Sequence, residues 1–203
     1  MKKIIMILGL LLPAQMALAG EVKALLGIHS SKYVFSNEIT SLSRQNKSGP
    51  AFGLGYALEI APKMKLEAQA LYGEKGTRAS LAYVTGETFT GTYSNSVIAV
   101  PIFFSFSFRE GATPYIALGP EFNFILSHEL SIPEYQEVFD LADNTKKFIF
   151  AVNAALGYKF PLGRWGLLAE LRYNRWLSSL LKDPETAVKS ESVSFLIGGI
   201  YYL

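Results

Sequence analysis

The chain has no cysteine among its 203 residues. That absence excludes disulfide stapling, thiol catalysis and thiolate metal sites. Histidine is nearly absent too: His29 and His128 are the only two, too far apart in sequence to form a motif of metal-ligand spacing. Charged residues make up only 18% of the chain while half of it is hydrophobic, against about a quarter charged in soluble domains. Such a composition calls for an apolar surrounding. Yet beyond residue 19 no apolar run approaches the roughly 20 residues of a membrane-crossing helix, so any insertion has to be by strands, whose backbone amides pair with one another.

The exception to that shortage of apolar runs is the N-terminus. Lys2 and Lys3 precede the apolar segment from Ile4 to Leu12, then Pro13, then Ala17-Leu18-Ala19 before Gly20, the order of a cleavable export signal. The expected organisation is a signal peptide over 1–19 and one domain over 20–203. Without Lys2 and Lys3, the 19 basic residues fall to 17, which balance the 17 acids. A neutral chain offers no basic stripe for phosphate, so nucleic acid is not an expected partner.

What the chain does have is alternation. Phe52, Leu54, Tyr56, Leu58 and Ile60 alternate with Ala51, Gly53, Gly55, Ala57 and Glu59, the period-two signature of a half-buried strand. The comb recurs over residues 65–73, 97–108, 115–126, 148–160, 166–181 and 192–203; with Val22 to about Lys32 it makes about eight strands. Connections alternate as well. Short ones are expected at 61–64, 109–114 and 161–165, and long polar ones at 33–48, 74–92, 127–146 and 178–191. This asymmetry predicts an all-β fold, an eight-stranded antiparallel up-and-down transmembrane β-barrel of a Gram-negative outer membrane, with four longer extracellular loops.

A soluble barrel would show the same period, so the composition of the smaller face decides. That face is mostly Ala, Gly, Ser and Asn with scattered charges, which suits a crowded narrow interior rather than water. Phe and Leu then face lipid. By the same parity Lys23, Glu59, Lys65, Glu67, Glu121, Lys159, Glu170 and Arg172 point inward. Unpaired buried charge is strongly unfavourable, so these eight are expected to form a structural charge network in the lumen. Phe108, Tyr158, Phe160, Trp165, Tyr173, Trp176 and Tyr201 are the expected membrane-interface aromatics, although Trp176 has the inward parity. Pro101 lies inside a strand, where it forfeits a ladder bond and implies a bulge or bend.

The blocks "VIAVPIFFSFSF", "PYIALGPEFNFIL", "AALGYKFPLG" and "LLAELRYNRWLSSLL" resemble successive strands of the outer-membrane β-barrel family labelled porin-family or PorT-like proteins, common in Bacteroidetes. The likeness spans nearly the whole chain after residue 19. This sequence departs from the family where Ala99 and Ser105 replace an inward acid and base around the proline, and where Trp176 replaces a glycine after "RYN". Phe195, Ile197, Tyr201 and Leu203 in the last strand resemble the terminal signal read by the outer-membrane assembly machinery, with Leu in place of the usual final Phe.

The resemblance brings no catalytic residue, and none is expected. His29 and Ser30 are adjacent and face opposite sides of a strand, so they do not form a nucleophile–base pair. The expected role is structural or interactive: a membrane anchor with a filled polar lumen and loops presented to a secretion or envelope protein. No cofactor or metal is expected; outer-membrane lipid is the expected surrounding. A narrow-channel porin for small solutes and a lipid-modifying outer-membrane enzyme are the alternatives.

Overall fold

The computed structural model describes residues 20–35, 42–82, 88–109, 113–183 and 187–203. The export signal expected over 1–19 lies outside these. Nine strands follow in order: β1 (Gly20–Phe35), β2 (Leu42–Ala61), β3 (Met64–Ala82), β4 (Thr88–Ser107), β5 (Thr113–Ile132), β6 (Glu137–Asp140), β7 (Phe148–Leu162), β8 (Trp165–Trp176) and β9 (Val188–Tyr202). Eight of them close into a ring. Each is antiparallel to its neighbours, β9 pairs with β1, and β4 pairs with β5 to complete the circle. The short β6 hangs on the outer end of β5.

Closure is needed because the outer face is apolar. Leu26, Leu54, Phe104, Leu118, Leu156, Leu167, Leu171 and Ile197 are all exposed on it, as their parity requires. An open edge against hydrocarbon would leave a row of unpaired amides, each costing several kcal/mol; pairing Val22 with Tyr201 and Leu26 with Ile197 removes it.

The tight turns between Ala61 and Met64 and between Leu162 and Trp165 match two of the expected short connections; the third, at 109–114, lies partly outside the described residues. Gly163 adopts φ +71° between Leu162 and Trp165, a conformation that favours glycine and suits a two-residue hairpin. Around Pro101 the β3–β4 ladder skips from Ala68–Ile102 to Leu71–Ala99, consistent with the missing amide hydrogen. A bulge lies between Ser96 and Val97 on the β4–β5 pairing.

The outer connections differ from the expected long loops. β2 begins at Leu42, β3 continues to Ala82, β4 begins at Thr88 and β5 runs to Ile132, so much of the expected loop is paired strand. Segments such as "TRASLA" and "TFTGTYS" are polar, but they are rich in Thr, Ser and Tyr that tolerate extended backbone. Polarity here marks where the sheet leaves the apolar zone, and pairing continues past it. The four strands β2 to β5 therefore stand taller than β7, β8 and β9.

The interior is packed rather than open. At the outer end Tyr33, Val97, Ile125, Ile149, Trp176, Leu180 and Val188 form a buried apolar cluster. Leu25, Leu71, Leu168, Leu196 and Ile200 form a second one. Phe103, Tyr115, Ala117 and Ala155 form a third, and buried polar side chains lie among the three.

Candidate functional site

The inward side chains of five strands form one continuous chain of bonds near the short-turn end. Glu21 accepts from Lys65 and from Lys159, the latter at 2.8 Å, and lies 3.7 Å from Lys23. Lys23 Nζ donates to Glu67 Oε2, and Gln69 Nε2 donates to Glu67 Oε1. Gln69 Oε1 in turn accepts from Arg172 Nη2 at 2.7 Å. Arg172 Nε donates to Glu170 Oε1, whose other oxygen accepts from the Tyr115 hydroxyl. Rings complete the cations' surroundings: Lys159 lies 5.0 Å from the Tyr115 centroid, and Arg172 lies 5.1 Å from that of Phe103.

Local geometry explains how these groups meet. Residues two apart on a strand share a face, so Lys65, Glu67 and Gln69 point inward together, as do Glu170 and Arg172. Gly157 makes room for the phenol: a Cβ there would run into the Tyr115 ring. Among the described residues, every buried carboxylate has at least one cationic or hydrogen-bonding partner, which is what burial of charge requires.

A second cluster lies nearer the outer end. Lys75 Nζ is 3.3 Å from each of Glu121 Oε1, Asn123 Oδ1 and Asn174 Oδ1. Asn174 Nδ2 donates to Glu121 Oε1 at 3.0 Å, and Asn153 Nδ2 donates to its other oxygen. Lys75 also sits 5.7 Å from the centroid of the Trp176 ring. The void bordered by His29, Glu121, Asn153, Arg172, Asn174 and Ser194 is about 10 Å³, the room of about one water molecule. The much larger recess, about 540 Å³, is outside the barrel, on the apolar face between Leu26, Phe160, Leu167, Ile197 and the bare Gly199.

Of the eight charges expected inside, Lys23, Lys65, Glu67, Lys159, Glu170 and Arg172 fall in the first cluster and Glu121 in the second. Glu59 does not join them. It is exposed beside the register shift between Glu59 and Ala61, where β2 is about to turn. Glu21, Gln69, Tyr115, Lys75 and Asn174 are the partners that sequence reasoning left out. Glu21 is two residues before Lys23, and Lys75 is two beyond Gly73, so the same alternation reaches both once the strands are allowed their full length.

Among the expected interface aromatics, Phe108, Tyr158, Phe160, Trp165 and Tyr173 are exposed on the outer face and Tyr201 is half-buried there. Trp165 stacks edge-on to Tyr201 at 4.9 Å. Trp176 is a correction: it is fully buried inside the barrel. No bulge intervenes in β8, so its even parity carries it inward with Glu170, Arg172 and Asn174. Phe195, Ile197 and Leu203 are exposed on the outer face, with Tyr201 beside them.

The histidines have separate partners. His29 Nδ1 is hydrogen-bonded to Ser194 Oγ, across the β1–β9 pair rather than to its neighbour Ser30. His128 Nδ1 is hydrogen-bonded to Thr145 Oγ1 at 2.7 Å. Among the described residues, no three His, Asp or Glu side chains are grouped to hold a metal ion.

The family described as "Outer membrane protein beta-barrel domain" matches residues 14–182. No curated protein matches the chain in sequence. Among solved structures, the outer membrane protein OprG from Pseudomonas aeruginosa is similar with a TM-score of 0.58 at 11% identity, over 92% of this chain and 97% of that one. Neisserial surface protein A is similar with a TM-score of 0.50 at 13% identity, over 90% of this chain and 96% of the other. At such identities the likeness is one of fold.

Proposed function

Given that the chain belongs to the outer membrane protein beta-barrel domain family and is an integral outer-membrane protein, we propose that it serves as a closed-lumen anchor that presents its tall β2–β5 wall to a secretion or envelope protein. The observation that carries this reading is the interior itself. Nine bonded side chains run from Lys65 and Lys159 to Tyr115, a second cluster surrounds Lys75, and the void between them has room for about one water. A solute path would have to break buried ion pairs, which is strongly unfavourable. The test is conductance of the purified protein in planar bilayers: the closed reading expects no steps above background. Reproducible steps that vanish in Glu170→Gln or Arg172→Gln would instead favour the narrow-channel porin.

The reading involves no reaction step. A lipid-modifying enzyme would need an accessible nucleophile and base, and the His29–Ser194 pair is buried inside the barrel. Mass analysis of outer-leaflet lipids with and without expression tests this; a new lipid species dependent on Ser194 would overturn it. Three assignments rest on sequence pattern. Residues 1–19 act as a cleaved signal, so the mature chain starts at Gly20, which N-terminal sequencing reads directly. The outward row Phe195, Ile197, Tyr201 and Leu203 serves as the assembly signal, and the strand blocks resemble those of the PorT-like group within the family.

A further inference from the structure

The outer face changes character at one level on β8, β9 and β1. Across these strands Leu171, Phe195 and Ile28 lie in one row, then Tyr173, Val193 and Ser30, then Arg175, Glu191 and Lys32. One step higher Lys189 pairs with Val34. All of these positions have outward parity, and Arg175 and Lys32 are exposed while Lys189 is half-buried. Three cations thus face out above a wall that is apolar except for Ser30. Glu191 is the one acid in these rows, 3.6 Å from Arg175.

The height fits a membrane boundary. Trp165, which is stacked on Tyr201 at the opposite edge, starts β8, and the run from it to Arg175 at about 3.3 Å per residue and a tilt of about 40° rises about 25 Å, the usual apolar band of a barrel. On β2, next to β1, Lys47 is held by Glu74 at 3.5 Å and by Ser94 at 2.7 Å, so its charge is already engaged.

We infer that Lys32, Arg175 and Lys189 form a site for the phosphorylated headgroup of an outer-leaflet lipid whose acyl chains lie along Ile28, Phe195, Leu171 and Val193. Charge complementarity selects an anion, because the three cations outnumber Glu191. Position selects a lipid rather than a free anion, because the cations sit flush with the top of the hydrocarbon-facing wall. Lys32 and Arg175 are two strand spacings apart, about 10 Å, which suits a headgroup carrying more than one phosphate. Such attraction is electrostatic and weakens as salt rises.

The test uses the full mature protein in neutral detergent micelles, with bound lipid read by native mass spectrometry. The probes are bisphosphorylated lipid A, the same lipid dephosphorylated, and inorganic phosphate as competitor. The site predicts retention of the bisphosphorylated lipid, loss of about a hundredfold in that retention in K32Q/R175Q/K189Q, and increased retention in E191Q. Heat-modified gel migration verifies that each variant is folded. Equal retention of both lipids, unchanged retention in the triple variant, or displacement by millimolar inorganic phosphate would overturn the site. So would weaker retention in E191Q. None of these outcomes bears on conductance, so the lumen reading stands or falls separately.

Discussion

Glu170 and Arg172 stand two residues apart on β8, both inward, and their side chains pair while each also reaches a different strand: Glu170 to Tyr115 on β5 and Arg172 to Gln69 on β3. The pair is therefore the crossing point of the interior, tying β8 to the far wall. Removing one partner leaves the other charge buried, which typically costs about 3–5 kcal/mol. Glu170→Gln is expected to lower stability by about that amount, measured by urea-dependent folding into phosphatidylcholine vesicles. The double variant Glu170→Gln/Arg172→Met should be less destabilised than Glu170→Gln alone, because no orphaned charge remains.

Trp176 fills the outer end of the interior over Lys75, whereas Trp165 lies on the outer face. Brominated acyl chains should therefore quench the fluorescence of Trp176→Phe, which retains Trp165, far more than that of Trp165→Phe. Equal quenching would place Trp176 at the lipid boundary and contradict its burial. Trp176→Ala should also cost about 3–5 kcal/mol through the cavity it leaves.

The bare Cα of Gly157 is what lets the Tyr115 ring lie against β7. Gly157→Val should displace that ring and break its bond to Glu170, lowering stability by about 1–3 kcal/mol as overpacking does. Combining it with Tyr115→Ala should recover part of the loss. Additive losses in the same folding assay would show that the two positions do not share space.

Leu171 lies midway between the Trp165 and Arg175 levels, facing out. A cation at the midplane of a barrel's lipid face costs about 2–4 kcal/mol and close to nothing near its edges. Leu171→Lys should therefore be strongly destabilised and Trp165→Lys only slightly, by vesicle folding. The reverse order would mean that the apolar belt is centred elsewhere.

The sequence was informative wherever the answer depends on strand geometry alone. A side chain's face follows from counting by two, so Leu54, Phe104 and Leu171 could be assigned outward and Lys23, Glu67, Glu170 and Arg172 inward from residue order. The same count assigned Trp176 inward, and the aromatic-girdle expectation failed at that residue because it set parity aside. The strand ends were harder to read. Polar residues beyond the apolar band look like loop, yet β3 continues to Ala82 because pairing with β4 satisfies its backbone regardless of what its side chains touch. That extra length is what brings Lys75 into the interior.

By itself, then, the order of residues determined which way each side chain faces and that the apolar face must be the outer one, because alternation is a property of the extended backbone. Which groups meet was decided only by closure. Gln69 joins Glu67 to Arg172 across 103 positions of chain, and Ser194 rather than Ser30 meets His29, because the register with which eight strands wrap into a ring sets every contact across the lumen.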